Sequence, residues 1–489
     1  MSMTILPSSD RILRGMRTSL ARIRKTEAIS DFARDTLRVT DAMLGEILQR
    51  QDSDFYLSTY LQGRALLEGW NAASAPSGQV ALQDLPSTVP PHTCYQQLGV
   101  WLGIISTRLA DTIRAVEDLD GEYVQQVVAW EEALYGHRLK AAPEPEAADA
   151  PTPRIERDSL ALYLEARGLT LLDFRRIVGG YQKDTLLFRA KDDSGLERDY
   201  VIRADKPDRF VNLDAGSIRD EYEIVRRVHA AGIPTAKPLW LESDAARLGM
   251  PFMVSDRVKG VTPGAVNHPH EMTEGELRSI AETLADIHLI PIDRFAGTCV
   301  EHWGARATLG ENSRAAVEMW PRQPWAQAMT PSPTATSMLE WLRRNVPTSD
   351  RAPALVHTDY APYNLMLHEG RVAAVLDWEG SRIGDPMEDL SFLLQCLGHR
   401  ADPDKIKQYY SERIGSSIDE DALRYFDVYN SMKYVLGGFF AGTLYEKDES
   451  SAIQWGYLSL YSSWHGMIIH DRRLKSIHRH ESQSAAAQC

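Results

Sequence analysis

Two polar loops at the two ends of one short apolar hairpin constrain this chain more than any other feature. Val356-His357-Thr358-Asp359 runs through Tyr360-Ala361-Pro362-Tyr363 to Asn364. Leu365-Met366-Leu367 then reads as a strand, His368-Glu369-Gly370 as its turn, and Val372 to Leu376 as the returning strand, which delivers Asp377-Trp378-Glu379. A hairpin brings its end back to its beginning, so Asn364 and Asp377 become neighbours. An amide oxygen beside a carboxylate suits Mg2+, a hard cation that takes one or two protein carboxylates and keeps several waters. Asp359 is then free to act as a base towards a hydroxyl.

Phosphoryl transfer needs this set: divalent metal to neutralise phosphate charge, and a carboxylate to orient the attacking hydroxyl. The segment resembles the small-molecule branch of the protein-kinase-like superfamily, the aminoglycoside phosphotransferase and choline kinase type. There the loop commonly reads His-Gly-Asp, four residues and Asn, and the second Asp lies in an Ile/Leu-Asp-Trp/Phe-Glu context. Thr358 stands where that branch usually has Gly. Gly384-Asp385-Pro386-Met387-Glu388-Asp389-Leu390 resembles the family's Gly-Asp-Pro-x-x-Asp-Leu segment, in which Asp385 is expected to anchor the catalytic loop, with an apolar helix beginning at Leu390. A single Asp followed by an Asn is ordinary in surface turns. It is the loop, the hairpin and the Gly-Asp-Pro segment in this order that carry the reading. The resemblance implies ATP and Mg2+, with Asp359 as catalytic residue and Asn364 and Asp377 as metal ligands.

A nucleotide-binding lobe should lie upstream. Phe174 to Arg189 reads as strand, turn, strand, with Gly179-Gly180 in the turn expected over the phosphates, although most such pairs simply close hairpins. The strand Tyr200-Val201-Ile202-Arg203 sits where the superfamily normally places a phosphate-binding Lys. Arg is a planar fork and Lys a compact point charge, so the two are not interchangeable, yet both neutralise phosphate. The hydroxyacyl-CoA kinase branch is similar here, with a strand ending in Val-Leu-Arg and then a Pro-containing loop, as at Lys206-Pro207. Ser217 to Ala231 has a helical repeat at Ile218, Tyr222, Val225 and Val228, with Ser217 as N-cap and Gly232 as stop. The resemblance assigns Glu221 as the partner of Arg203, with Asp220 and Glu223 as competitors. After the strands Pro238 to Glu242 and Pro251 to Val254, the stretch from Ser255 to Gly260 resembles the hinge, where backbone groups near Ser255 would meet adenine.

The expected fold is α+β: a bilobal protein-kinase-like fold, with an antiparallel-sheet N-lobe and a mainly helical C-lobe, preceded by an all-helical N-terminal domain. Residues 1–140 carry apolar residues at three- and four-residue intervals in Asp10 to Ile23, Ile29 to Arg50, Phe55 to Ala72, Tyr95 to Val116 and Tyr123 to Tyr135. A Pro- and Ala-rich acidic stretch within 141–156 reads as a linker, 157–256 as the N-lobe, 257–478 as the C-lobe and 479–489 as a disordered tail. Whether the N-terminal helices pack on the kinase lobes, form a homodimer or shape the acceptor site stays open. Glu274 to His288 is an amphipathic helix behind Thr273. Trp303, Trp320 and Trp325, near Pro331-Ser332-Pro333, read as core before pocket.

The formal charge of −14 over 489 residues argues against nucleic acid or anionic membrane as partner, since both reward basic surfaces. No apolar run approaches the roughly 18 residues of a membrane span. Four scattered cysteines make no metal pattern, and a cytoplasmic location is the expectation. Together the residues and the resemblance imply an ATP-dependent kinase of a small-molecule hydroxyl, closest to the hydroxy-acid or hydroxyacyl-CoA branch over residues 172–400. An aminoglycoside or choline-type kinase with a cationic acceptor is the alternative, and a catalytically weak binding or scaffold protein on the same fold is a third.

Overall fold

The computed structural model describes residues 53–89, 95–139, 155–177, 183–205, 216–263, 271–304, 306, 308–327, 331–348, 351–446, 458–459 and 461–475. The expected helices Asp10 to Ile23 and Ile29 to Arg50, residues 141–154 of the expected linker, Gly179, Gly180 and the 479–489 tail lie outside the described residues. The chain forms two compact units. One comprises Met1–Ala148, Val317–Val346 and Val428–Cys489, the other Asp149–Ala316 and Pro347–Asp427. Segments expected in the C-lobe, 317–346 and the chain beyond 427, thus group with the N-terminal helices.

In the first unit, α1 (Ser53–Ala73), α2 (Tyr95–Ala115) and α3 (Glu122–Leu139) enclose Tyr56, Tyr60, Leu67, Leu102, Ile105, Leu109, Val127 and Trp130. Leu98, Leu102, Ile105 and Leu109 recur at three- and four-residue steps, one stripe of α2 turned inward. The polar tips of buried aromatics are satisfied: the Trp130 indole donates to the Thr59 carbonyl at 2.8 Å and the Tyr60 hydroxyl to the Pro86 carbonyl at 2.7 Å. Glu131, buried on α3, accepts from the Ser332 hydroxyl at 2.9 Å and the Thr334 N–H at 2.8 Å. That places a carboxylate at the N-terminus of helix Pro333–Arg344, where the backbone N–H groups favour negative charge. Pro331-Ser332-Pro333 is therefore a helix start clasped by α3, which explains why segment 317–346 belongs with this unit.

In the second unit, a helix not anticipated from the sequence, α4 (Arg157–Glu165), precedes five antiparallel strands. These are β1 (Leu169–Ile177), β2 (Lys183–Asp192), β3 (Glu197–Asp205), β4 (Pro238–Glu242) and β5 (Phe252–Asp256), in the order β1-β2-β3-β5-β4. Side chains alternate along a strand, so each strand serves two faces. Leu186, Phe188 and Ala190 on β2, with Tyr200, Ile202 and Ala204 on β3, make one face, packed with Leu160 and Leu164 of α4. The same alternation puts Lys183 and Thr185 on the other face, opposite Asp205 and Arg203 in register. Against that face lies α5 (Ile218–Ala230), started by a capping box between Ser217 and Asp220 and followed by Gly232 at φ +89°.

The remainder of this unit carries the segments expected to be catalytic. α6 (Glu274–His288) begins with a Thr273–Glu276 capping box. β6 (Ala354–Val356) pairs with β9 (Arg382–Gly384), and β7 (Leu365–His368) with β8 (Arg371–Val375), Leu365 opposite Val375. The turn residues Glu369 and Gly370 both have positive φ, 50° and 75°, as a two-residue type I′ hairpin turn demands. α7 (Met387–Leu397) and α8 (Pro403–Ile414) follow. Among the described residues no helix is long and apolar enough to cross a membrane.

Two glycines of α1 test the packing with opposite signs. A Cβ on Gly63 would lie 2.7 Å from Ile105 and 2.8 Å from Trp130, whereas one on exposed Gly69 meets nothing within 4 Å. Gly63→Ala should cost about 1–3 kcal/mol by overpacking, and Gly69→Ala should gain about 0.5–1 kcal/mol. Urea unfolding of the two variants checks this: equal shifts would contradict the packing described.

Candidate active site

The hairpin β7–β8 does what its pattern predicts and returns the chain to its start: the Leu376 N–H donates to the Asn364 carbonyl at 2.8 Å. Asn364, buried, spends both amide hydrogens on residue 359, at 2.8 Å to the Asp359 carboxylate and 3.0 Å to its carbonyl. Reversing the amide would set its oxygen against two acceptors, so the orientation is fixed by chemistry and Oδ1 is directed away from Asp359. The other Asp359 oxygen accepts from the Tyr363 hydroxyl at 2.6 Å.

The loop itself hangs on Asp389. This fully buried carboxylate accepts from the backbone N–H of His357 at 2.6 Å and of Thr358 at 2.7 Å, and from His288 Nε2 at 3.2 Å. His288 Nδ1 in turn lies 2.7 Å from the Tyr410 hydroxyl of α8. Burial pushes the Asp389 pKa upward, but the hydrogen bond and charge of His288, with those of His357, outweigh it and hold the group below its ordinary value. The expected anchor, Asp385, has another task. It accepts from Arg351 at 2.7 Å and from the Met387 N–H at 3.0 Å, fixing the start of α7. The correction has a simple geometry: Asp389 lies one helical turn further on and projects back towards the loop.

Thr358 adopts φ +68°, a left-handed conformation that glycine takes freely and a β-branched residue rarely does. This accounts for the Gly usual at the position. Its N–H bond to Asp389 and the 3.0 Å bond from its hydroxyl to the Gly380 carbonyl hold it there. Asp377 is likewise left-handed, φ +65°. His357 links the two loops, its Nε2 lying 2.8 Å from the Leu376 carbonyl while Nδ1 accepts from the Asp359 N–H at 3.3 Å.

Asp377 meets the sheet through Arg203, whose Nη2 is 2.7 Å from Asp377 Oδ1 and 3.1 Å from Glu221 Oε1. Of the three acidic competitors on α5, Glu221 alone is in the buried stripe with Ile224, Val225 and Val228. Asp220 is spent on the capping box and Glu223 pairs with Arg226 at 2.8 Å. Burial opposes the Arg203 charge, but Glu221, Asp377 and Glu379 outweigh it and raise its pKa. Arg203 Nε is buried without an acceptor, an unspent donor on this guanidinium. Alongside, Lys183 lies 2.7 Å from Asp205 and 3.0 Å from Glu379. Burial, with the neighbouring Asp377 charge, pushes Glu379 up to about 7 against the pull of Lys183.

The structure therefore brings Asp359, Asn364, Asp377, Arg203 and Glu221 together. Ser255 lies within β5, buried, with Val201 and Pro238 as its register partners; the N–H groups of Asp256 and Arg257 are bonded to the Lys237 and Asp199 carbonyls, at 3.0 and 3.1 Å. Gly179 and Gly180 lie outside the described residues. Trp303 and Trp320 are buried, Trp303 between the guanidinium groups of Arg306 at 4.3 Å and Arg382 at 5.0 Å from its ring. Sequence reasoning missed Lys183, Glu379, Asp389, His288 and Tyr363. Two of these stood in legible motifs, Asp389 as the second Asp of the Gly-Asp-Pro segment and Glu379 as the Glu that follows Asp377-Trp378. For a metal, the Asn364 amide oxygen and the second oxygen of half-exposed Asp377 fit a hard cation that takes few protein ligands. Among the described residues no cluster of three or more His, Cys, Asp or Glu forms a dedicated metal cage. A groove of about 680 Å³ beside α1 and α3, lined by Trp70, Tyr123 and Trp130, belongs to the other unit and contains none of these residues.

Residues 173–426, just over half of the chain, match the family described as the phosphotransferase enzyme family, APH. Acyl-CoA dehydrogenase family member 11 of Rattus norvegicus is 34% identical over 207 residues, 40% of this chain and 25% of that protein. The Homo sapiens protein of the same name is 31% identical over 233 residues, 46% of this chain and 29% of that one. The chain thus spans about a quarter of the length of these curated relatives. Among solved structures, spectinomycin phosphotransferase in complex with ADP and spectinomycin aligns with a TM-score of 0.47 at 14% identity, covering 66% of this chain and 100% of that one. A macrolide 2'-phosphotransferase from Brachybacterium faecium gives 0.46 at 19% identity, covering 60% and 98%.

A Cβ on Gly380 would lie 2.6 Å from the Thr358 hydroxyl oxygen. Gly380→Ala should therefore cost about 1–3 kcal/mol in the native background and much less beside Thr358→Gly, which removes the clashing group. A double-mutant cycle read by chemical denaturation measures the coupling; additive effects would show that the loops do not touch this way.

Proposed function

The chain belongs to the phosphotransferase enzyme family, and on that premise we propose that it transfers the γ-phosphoryl group of ATP to a hydroxyl group of a small molecule. The observation that carries the reading is the convergence of Asp359, Asn364 and Asp377 with the Arg203–Glu221 pair. In the proposed reaction the acceptor oxygen forms a bond to the γ-phosphorus, the bond from phosphorus to the ADP oxygen breaks, and the hydroxyl proton passes to Asp359. Both Asp359 oxygens already accept hydrogen bonds, which fix the orientation of the carboxylate. Its role is then to orient the hydroxyl and receive the proton late, as suits a loose transition state. Mg2+ on the Asn364 amide oxygen and the Asp377 carboxylate would neutralise charge on the nucleotide phosphates. Arg203, kept cationic and aimed by Glu221, supplies a fixed positive group on the sheet side.

For the acceptor, we infer a hydroxy acid or a hydroxyacyl-CoA. Support comes from the relatives, which are acyl-CoA dehydrogenase family members sharing with this chain only about a quarter of their length. Phosphorylation of such a hydroxyl would make it a good leaving group for elimination.

Asp377→Ala should abolish metal-dependent nucleotide binding along with turnover. Asp359→Asn should leave ATP affinity nearly intact and lower turnover by about 10²–10⁴-fold. Calorimetric binding beside single-turnover kinetics separates the two roles, and equal loss of affinity in both variants would refute the assignment. ATP consumption should rise with hydroxy acids or hydroxyacyl-CoA thioesters in a screen that also holds amino alcohols and aminoglycosides. Stimulation by the cationic compounds alone would move the acceptor to that class, and absence of any ATP-dependent thermal shift, with or without Mg2+, would favour a scaffold.

A further inference from the structure

Beside the Arg203 pair, the sheet carries a second cation to which the proposed chemistry gives no part. Lys183 is the first residue of β2, and its side chain is only 4% exposed. Its ammonium lies 2.7 Å from Asp205 Oδ1 and 3.0 Å from Glu379 Oε2, and donates to the Gly216 carbonyl at 3.3 Å. The other Asp205 oxygen accepts from the Ile218 N–H at the start of α5, at 3.1 Å, and the Gly216 N–H donates to the Glu379 carbonyl at 2.8 Å. The beginning of β2, the end of β3, the beginning of α5 and the loop that carries Asp377 therefore meet on one side chain. The arrangement parallels its neighbour: Arg203 joins Glu221 to Asp377, and Lys183 joins Asp205 to Glu379, two residues further along the same loop. Without Lys183, Asp205 and Glu379 would lose the cation that lies between them, and their repulsion would push the loop away from the sheet. Lys183 is too deeply buried to bind a ligand itself, so its influence must pass through the loop.

We propose that Lys183 is a positioning residue: its bridge from Asp205 to Glu379 fixes the Asp377 loop against β2 and α5, so that metal and nucleotide phosphates are received in one geometry. The inference rests on the phosphotransferase reading above.

Calorimetric titration of the full chain with ADP, with and without Mg2+, tests it, alongside thermal unfolding. The native protein should bind ADP more tightly with Mg2+. Lys183→Met and Glu379→Gln should each forfeit about tenfold or more of that gain, the scale of losing a partner that orients a metal ligand, while affinity without Mg2+ stays within about twofold. Lys183→Arg should keep most of the gain, and the double variant should be no worse than either single one, since both remove the same bridge. A role in stability alone would lower the unfolding midpoint and leave the Mg2+ gain as it was. That result, or additive losses in the double variant, overturns the proposal. If Lys183→Met does not fold, Glu379→Gln and Lys183→Arg decide it. A native chain that binds ADP under neither condition removes the phosphotransferase reading, and this inference with it; the native titration alone distinguishes that failure.

Discussion

Asp389, wholly buried in the first turn of α7, receives two backbone N–H groups of the catalytic loop and the imidazole of His288 from α6. A lone charge in such a place would cost several kcal/mol. Three donors on two oxygens offset that cost, and they also make the loop a dependant of the helices. Wherever α6, α7 and α8 pack, His357 and Thr358 must follow, and Asp359 with them. The proposed base thereby acquires the precision of a helix while sitting on a loop, the arrangement in which function on a connecting segment is reliable.

Among the described residues, Asp205, Glu221, Asp377 and Glu379 gather around Arg203 and Lys183. Burial, with the charge of the neighbouring carboxylates, raises the pKa of both Glu221 and Glu379 against the pull of the two cations. A divalent cation held by Asp377 and the Asn364 amide oxygen would sit at the edge of this cluster.

What could be read from the sequence was whatever leaves a local period. The β7–β8 hairpin, the alternation that separates Arg203 from Ile202, and the cap at Ser217 are all written within a few residues of themselves. Glu221 needed a family resemblance to be chosen, yet its place in a stripe with Ile224, Val225 and Val228 was also there to see. The pairings that span the fold left no such trace. Lys183 and Glu379 are far apart in the chain, and nothing local says that one will neutralise the other. Asp389 rather than Asp385 holds the loop because the helix starting at Met387 turns residue 389 towards it, a matter of three-dimensional direction that the motif as a string does not carry. The regrouping of segment 317–346 with the N-terminal helices escaped for the same reason, since it turns on a contact between Glu131 and a helix start some two hundred residues later.

Thr358 and Asp377 both hold left-handed backbone without being glycine, at about 1–3 kcal/mol each. Against a typical net stability of about 5–15 kcal/mol, that is a substantial share, and it is tolerated only because Asp389, Gly380 and Arg203 leave neither residue an alternative. The catalytic hairpin is consequently not a portable cassette. Transplanted into another scaffold by its motif alone, it would relax into an ordinary turn and let its carboxylates drift apart. A designer who wished to move the proposed activity would have to bring along the buried acid, its histidine and the glycine opposite, which serve only to hold the two loops.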